Sequence, residues 1–159
     1  MKITKTNAMR TLEFNNIPYR TSCYEVDESD LSGVHGAKML GISPDVMFKT
    51  LVTRTDKNEY RVFMIPVDKE LDLKKCAVAS GDKRVEMIAV KELLPITGYV
   101  RGGCSPIGMK KQFKTYIDET VILFDEIYIS AGTRGVQIII NPQHLIDFLG
   151  AKTCDLVKD

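Results

Sequence analysis

Apolar residues in this chain recur at two periods, and the switches between them mark short helices alternating with strands. Thr6 or Asn7 can cap a first helix carrying Ala8, Met9, Leu12 and Phe14 and ending near Asn15-Asn16. Ile17 to Val26 reads as extended. A short helix is predicted over Val34–Leu40, stopped by Gly41, and Ser43-Pro44 is a cap followed by proline at a first helical position. Val46–Thr55 and Glu59–Val67 read as two strands joined at Asp56-Lys57-Asn58. Leu71-Asp72 opens a helix through Ala79 that Ser80-Gly81 ends. Val85–Ile88 reads as a short strand, Val90–Leu94 as a helix stopping before Pro95, and Phe113–Ile117 as a strand. Ile127–Ala131 and Val136–Ile140 flank Gly132-Thr133-Arg134-Gly135, the clearest hairpin in the chain. Asn141-Pro142 then caps a last helix to Leu149, with Gly150 past its end.

Helices and strands are intermixed without a regular βαβ repeat. This predicts an α+β fold: a mixed, largely antiparallel sheet or barrel with helices packed outside it. At 159 residues, with no internal repeat or linker, a single domain over 1–159 is expected. The apolar runs are far too short to span a membrane. Met1-Lys2 leads into polar Thr4-Lys5-Thr6-Asn7 rather than an apolar leader, so a cytoplasmic location is expected.

Charge and cysteine content narrow the chemistry. The formal net charge is +1, whereas stand-alone nucleic-acid binders carry a marked positive excess. Any contact with nucleic acid is therefore expected through a local patch, or with a partner supplying affinity. Cys23, Cys76, Cys104 and Cys154 are far apart, with only His35 and His144 to join them, so no metal site, cofactor or disulfide framework is expected. Glu25, Asp27, Glu28 and Asp30 lack cation-loop spacing and read as a solvated loop.

Four features remain as candidate chemistry. Gly102-Gly103-Cys104-Ser105-Pro106-Ile107-Gly108 is a glycine-rich loop, and from Arg101 to Ile117 there are four cationic side chains and no acidic one. Such a loop suits an anion held by backbone N–H groups, but it matches neither a P-loop nor a dinucleotide fingerprint, and a tight connection with a basic exit is the alternative. Lys49 interrupts an apolar strand, Val46-Met47-Phe48-Lys49-Thr50-Leu51-Val52, either lining a pocket or reaching from a strand end to water. The terminal hairpin should pair Ser130 with Gln137 on a face shared with Tyr128 and Ile139. That pair is either a polar spot in an apolar cleft or a cross-strand hydrogen bond on an exposed face. Cys104 lacks an assignable base and reads as a small residue in a crowded turn.

These features sit among ordered anchors. They are Tyr24-Glu25, Phe48-Lys49-Thr50-Leu51, Leu71-Asp72-Leu73-Lys74-Lys75, Lys83-Arg84-Val85-Glu86-Met87, Thr97-Gly98-Tyr99, the Gly102–Lys111 loop, and Ile129-Ser130-Ala131-Gly132 with Arg134-Gly135. On them the chain resembles the YbaK/EbsC family of aminoacyl-tRNA deacylases, related to the editing insertion of bacterial prolyl-tRNA synthetase. The resemblance covers nearly the whole length. It implies a mixed β-barrel with surrounding helices and a cleft for the 3′ end of mischarged tRNA. It places an essential lysine at Lys49 and substrate contacts at Tyr24, Thr50, Gly103, Ser130 and Gly132; Gly102, Ser105 and Gln137 stand beside them as further candidate substrate contacts. Gln137 stands where close relatives often carry Asp.

The resemblance further implies cleavage of Cys-tRNA(Pro), and possibly Cys-tRNA(Cys), by the substrate's own thiol, with prolyl-tRNA synthetase as the expected partner. Two other readings compete. One is a water-mediated deacylase of Ala-tRNA(Pro) or Ser-tRNA. The other is a non-catalytic tRNA- or synthetase-binding module, against which the presence of both Lys49 and the glycine-rich loop argues.

Overall fold

A computed structural model describes residues 3–159; Met1-Lys2, where no apolar leader is read, lies outside the described residues. The helices are α1 (Asn7–Phe14), α2 (Gly33–Leu40), α3 (Leu73–Ser80), α4 (Val90–Thr97) and α5 (Pro142–Leu149). The strands are β1 (Arg20–Cys23), β2 (Phe48–Thr55), β3 (Tyr60–Pro66), β4 (Val85–Met87), β5 (Lys114–Asp118), β6 (Ile127–Ser130), β7 (Val136–Ile140) and β8 (Lys152–Cys154). Among the described residues no helix is long and apolar enough to cross a membrane.

Caps set the helix boundaries. The hydroxyls of Thr6 and Ser32 and the side-chain oxygens of Asp72 and Asn141 accept N–H bonds from the first turns of α1, α2, α3 and α5. Glycines in the left-handed region close the other ends of α2 and α3 (Gly41, φ 69°; Gly81, φ 72°).

The strands form two sheets, ordered β1-β7-β6 and β4-β2-β3-β5-β8. Four pairings are antiparallel, while β3–β5 and β5–β8 are parallel. The barrel expected from the resemblance is thus open: among the described residues the sheets are joined by one parallel bridge, Met47 to Tyr128. Both wrap one main core. Phe48, Met64 and Ile117 from the larger sheet meet Ile127, Ile129, Ile138 and Ile140 from the smaller, closed by Met9 and Leu12 of α1 and Leu145 of α5. Each such side chain contributes about 1.5–3 kcal/mol on full burial. A one-residue slip of β7 would drive Gln137 into this core and Ile138 out, so the register is tightly held. On the outer faces α3 covers Phe63, Ile65 and Tyr116, and α2 covers Met47, Val67 and Tyr128.

Several expectations are revised. Helix α4 runs through Pro95 to Thr97. Proline removes the N–H that would reach the Lys91 carbonyl, and Lys91 is exposed, so water can serve it. Strand β2 starts at Phe48 because Pro44–Val46 forms a 3-10 turn capped by Ser43. Phe14 is 87% exposed rather than core. Strand β8 and the 3-10 turn at Glu119–Leu123 have no counterpart in the sequence reading.

Candidate functional site

The site grows from the bridge between the sheets. Two residues beyond Met47 and Tyr128, strand alternation brings Lys49 and Ser130 to one level and one face. Ser130 pairs with Gln137, as the hairpin register predicts, and Gln137 pairs with Ser22 of β1. Tyr24 lies two residues past Ser22 on the same face, its N–H donating to the Gly135 carbonyl at 2.9 Å. Helix α2 roofs this face. A Cβ on Gly36 would come within 2.7 Å of Tyr24 Oη and 3.2 Å of Met47 Cε, so the ring lies directly against the helix backbone. Tyr24, Lys49, Ser130 and Gln137 thus share one floor beneath α2.

The electrostatics of that floor are unusual. Lys49 is half-buried and, among the described residues, makes no ion pair. Burial pushes its ammonium below the ordinary lysine range, with Glu70 and Asp68 pulling back. Burial also raises the Tyr24 phenol. Gln137 is only 3% exposed and its Oε1 has no hydrogen-bond partner. A buried acceptor left unpaired costs about 1–3 kcal/mol, which a bound donor would recover. Ser130 and Gln137 are not bonded to each other; the Ser130 hydroxyl accepts the Gly132 N–H at 3.2 Å.

The glycine-rich loop docks on the β6–β7 turn beside this floor. A Cβ on Gly103 would lie 3.1 Å from the Thr133–Arg134 backbone, and one on Gly132 (φ 104°) 2.7 Å from the Tyr99 ring. Tyr99 Oη in turn donates to the Ile107 carbonyl at 2.5 Å. The Gly103 N–H donates to the Val100 carbonyl at 2.9 Å, so it is already engaged within the loop. Gly102 is exposed and takes φ 83°, a conformation that favours glycine. Ser105 is fully buried and its hydroxyl accepts the Ile107 N–H at 3.3 Å, which shapes the turn. Alternation turns Thr50 to the opposite face from Lys49, where its buried hydroxyl has no partner. A concavity of about 560 Å³ between Val78–Gly81 and Phe113–Tyr116 contains none of these residues.

Residues 33–148 match the family described as "Aminoacyl-tRNA editing domain". The chain belongs to that family. It is 46% identical over 152 residues to "Putative Cys-tRNA(Pro)/Cys-tRNA(Cys) deacylase EbsC" of Enterococcus faecalis, covering 96% of this chain and 93% of the relative. In fold it is similar to "a putative trans-editing enzyme for prolyl tRNA synthetase" (TM-score 0.81, 23% identity, 96% of each chain). It is also similar to "hypothetical protein APE2540" (TM-score 0.87, 20% identity, 96% of this chain and 100% of that one).

One residue that shapes this floor is missed by the sequence reading. Gly36 sits mid-helix, where glycine costs about 1 kcal/mol relative to alanine, and that cost is the available signal of a close approach. Gly36→Ala should regain that propensity and lose about 1–3 kcal/mol to overpacking, a net cost of no more than about 2 kcal/mol. The Tyr24 ring must move, so kcat/KM on a cleaved aminoacyl-tRNA should fall by about tenfold, the cost of a small misplacement in a positioned site. Thermal melting beside kinetics checks this; unchanged kinetics would mean that Tyr24 has no part in the site.

Cys104 is placed as structure. It is buried, and desolvation pushes its thiol up to about 12, so it stays protonated near neutral pH. Neither histidine is seen against Cys104: His35 Nδ1 lies 3.8 Å from Asp30, and His144 is in the first turn of α5. Cys104→Ala should cost about 1 kcal/mol of stability and retain activity. A covalent acyl adduct on Cys104, found by mass spectrometry, would overturn this.

Proposed function

We propose that this editing domain is an aminoacyl-tRNA deacylase that removes cysteine from tRNA, Cys-tRNA(Pro) foremost, using the thiol of the substrate as nucleophile. The observation that carries the reading is Lys49: a half-buried ammonium without an ion pair, on a floor with Ser130, Gln137 and Tyr24. An unpaired cation held in a partly dry cleft suits an electron-rich ligand such as an ester carbonyl or ribose oxygen. The family and the name given to the Enterococcus relative support tRNA as the carrier of that ester.

The chemistry closes without a protein nucleophile. The cysteine sulfur, having given up its proton, attacks its own ester carbonyl carbon. The tetrahedral intermediate collapses by breaking the bond to the ribose oxygen, which takes up a proton equivalent to the one released. Cysteine leaves as a cyclic thiolactone, which water later opens. Lys49 holds the aminoacyl-adenosine so that sulfur and carbonyl meet, and such positioning supplies up to about 7–11 kcal/mol. Its positive charge also favours the developing oxyanion. Cysteine and alanine differ too little in size for a pocket to separate them well, so a reaction that needs the thiol supplies the discrimination. We further propose prolyl-tRNA synthetase as the partner that presents the tRNA, since the net charge is only +1. Deacylation of Cys-tRNA, Ser-tRNA and Ala-tRNA on one tRNA body, measured side by side, tests the reading.

A further inference from the structure

We infer that Arg101, Lys110 and Lys111 form a phosphate-binding rim at the mouth of the site, a surface fitted to the RNA backbone leading into the terminal adenosine. The inference rests on the deacylase reading for its choice of RNA.

The placement follows from three contacts. The Gly103 N–H closes a turn onto the Val100 carbonyl, which leaves Arg101 exposed at its tip. Arg134 Nε donates to the Arg101 carbonyl at 2.9 Å, which ties that tip to the β6–β7 turn. The Lys110 N–H donates to the Thr97 carbonyl, and its Cγ would lie 3.3 Å from a Cβ on Gly98, three residues before Arg101. Lys111 follows and is exposed. The strands entering that β6–β7 turn carry Ser130 and Gln137 as the ladder pair nearest it, so the rim adjoins the floor that holds Lys49.

The charge pattern distinguishes this segment: four cations and no acid lie between Arg101 and Ile117. Lys5, Arg20, Arg54, Arg61, Lys75 and Lys158 each sit in ion pairs elsewhere. Among the described residues Arg101, Lys110 and Lys111 make no ion pair; Lys57 and Lys74 make none either, but only this segment gathers several such cations in a run free of acidic residues. Glu28, across the β6–β7 turn, is held by Arg134 at 3.3 Å, so its charge is matched by a cation outside these three. With a net charge of +1 the protein has no strong global field to attract RNA, so attraction must come from a local cluster of this kind. Lysine and arginine at such a rim bind phosphates without reading sequence.

The test compares Arg101→Glu/Lys110→Glu/Lys111→Glu with Lys57→Glu/Lys74→Glu/Lys152→Glu, a remote triple with the same change in formal charge. Binding of uncharged tRNA is followed by fluorescence anisotropy across about 50–200 mM salt. The rim triple should lose at least about tenfold in affinity and flatten the log–log salt slope by about 2, as three single-strand phosphate contacts require. The remote triple should stay close to wild type. Arg101→Ala/Lys110→Ala/Lys111→Ala should show the same trend without added negative charge. In parallel, the ratio of kcat/KM for Cys-tRNA to that for 2′(3′)-O-cysteinyladenosine, which has no phosphate, should fall about tenfold or more in the rim triple. Wild-type affinity and slope in the rim triple, or equal losses in both triples, would overturn the rim. So would an equal loss on both esters, which would point to distortion of the site. If wild-type protein cleaves neither ester, the deacylase reading falls while the salt slope still decides the rim.

Discussion

Lys49→Ala should abolish deacylation while leaving the fold intact. The side chain is half-buried and pairs with no carboxylate, so its removal breaks no ion pair. Burial disfavours its charged form, and truncation relieves that penalty; stability should therefore move by no more than about 1 kcal/mol. Function should respond very differently. Loss of one preorganised donor at a developing oxyanion costs about 10²–10³ in rate, and loss of substrate positioning adds to it. Lys49→Met, which keeps length and apolar bulk but not charge, should fail almost as badly. Lys49→Arg should not rescue fully, because a planar fork replaces a compact point charge. Burial lowers the pKa of Lys49, so its charge is present at low pH and is lost as pH rises through that lowered value. Activity should accordingly fall on the alkaline side before an ordinary lysine, near about 10.4, would deprotonate. Glu70 pulls the pKa up, so Glu70→Gln should move the fall to lower pH still. Circular dichroism, thermal melting and a pH–rate profile check these outcomes. Wild-type-like turnover by Lys49→Ala would reject the proposed site.

Local chemistry made much of this molecule legible in the sequence. The Thr6, Asp72 and Asn141 caps, the Gly41 and Gly81 stops and the Gly132–Gly135 turn each act within a few residues, and each fixes an element boundary or a register. The Ser130–Gln137 pairing was readable for that reason. What stayed hidden depends on distant partners. Strand β8 is three residues long and exists because Tyr116–Asp118 offers it a parallel edge. Helix α4 passes Pro95 where Lys91, whose carbonyl loses its partner, is exposed, and no local pattern states that exposure. The convergence of Lys49 with Ser130 needs the bridge between two sheets, and the sequence says nothing of that bridge. Gly36 shows the limit most plainly: a helical glycine is visible in the sequence, but not the ring of Tyr24 that requires it. The basic run after Arg101 was likewise visible as composition. Its position beside the floor depends on Gly103 packing against Thr133 and Arg134.

Cys-tRNA should be cleaved far faster than Ser-tRNA or Ala-tRNA carrying the same tRNA body. Serine is nearly isosteric with cysteine, so a site that measured size would treat the two alike. A site that only positions the aminoacyl ester, and leaves the attack to the side chain, must separate them by reactivity. A few per cent of a free thiol is already thiolate near pH 7, whereas a serine hydroxyl is a far weaker nucleophile. The rate should therefore rise with pH as the substrate thiol ionises, near about 8.5 for an unperturbed cysteine. It should fall again as Lys49 loses its proton, giving a bell whose acid limb belongs to the substrate and whose alkaline limb belongs to the protein. Alkylating the cysteine of Cys-tRNA before assay should stop cleavage, and the first product should be trapped as a thiolactone derivative. Cys104 should leave this bell unchanged, because its buried thiol is pushed up to about 12. Equal rates on Cys-tRNA and Ser-tRNA would instead assign the attack to an activated water. Lys49 would then act as electrostatic stabiliser of the oxyanion, and the acid limb of the profile would not depend on the amino acid carried.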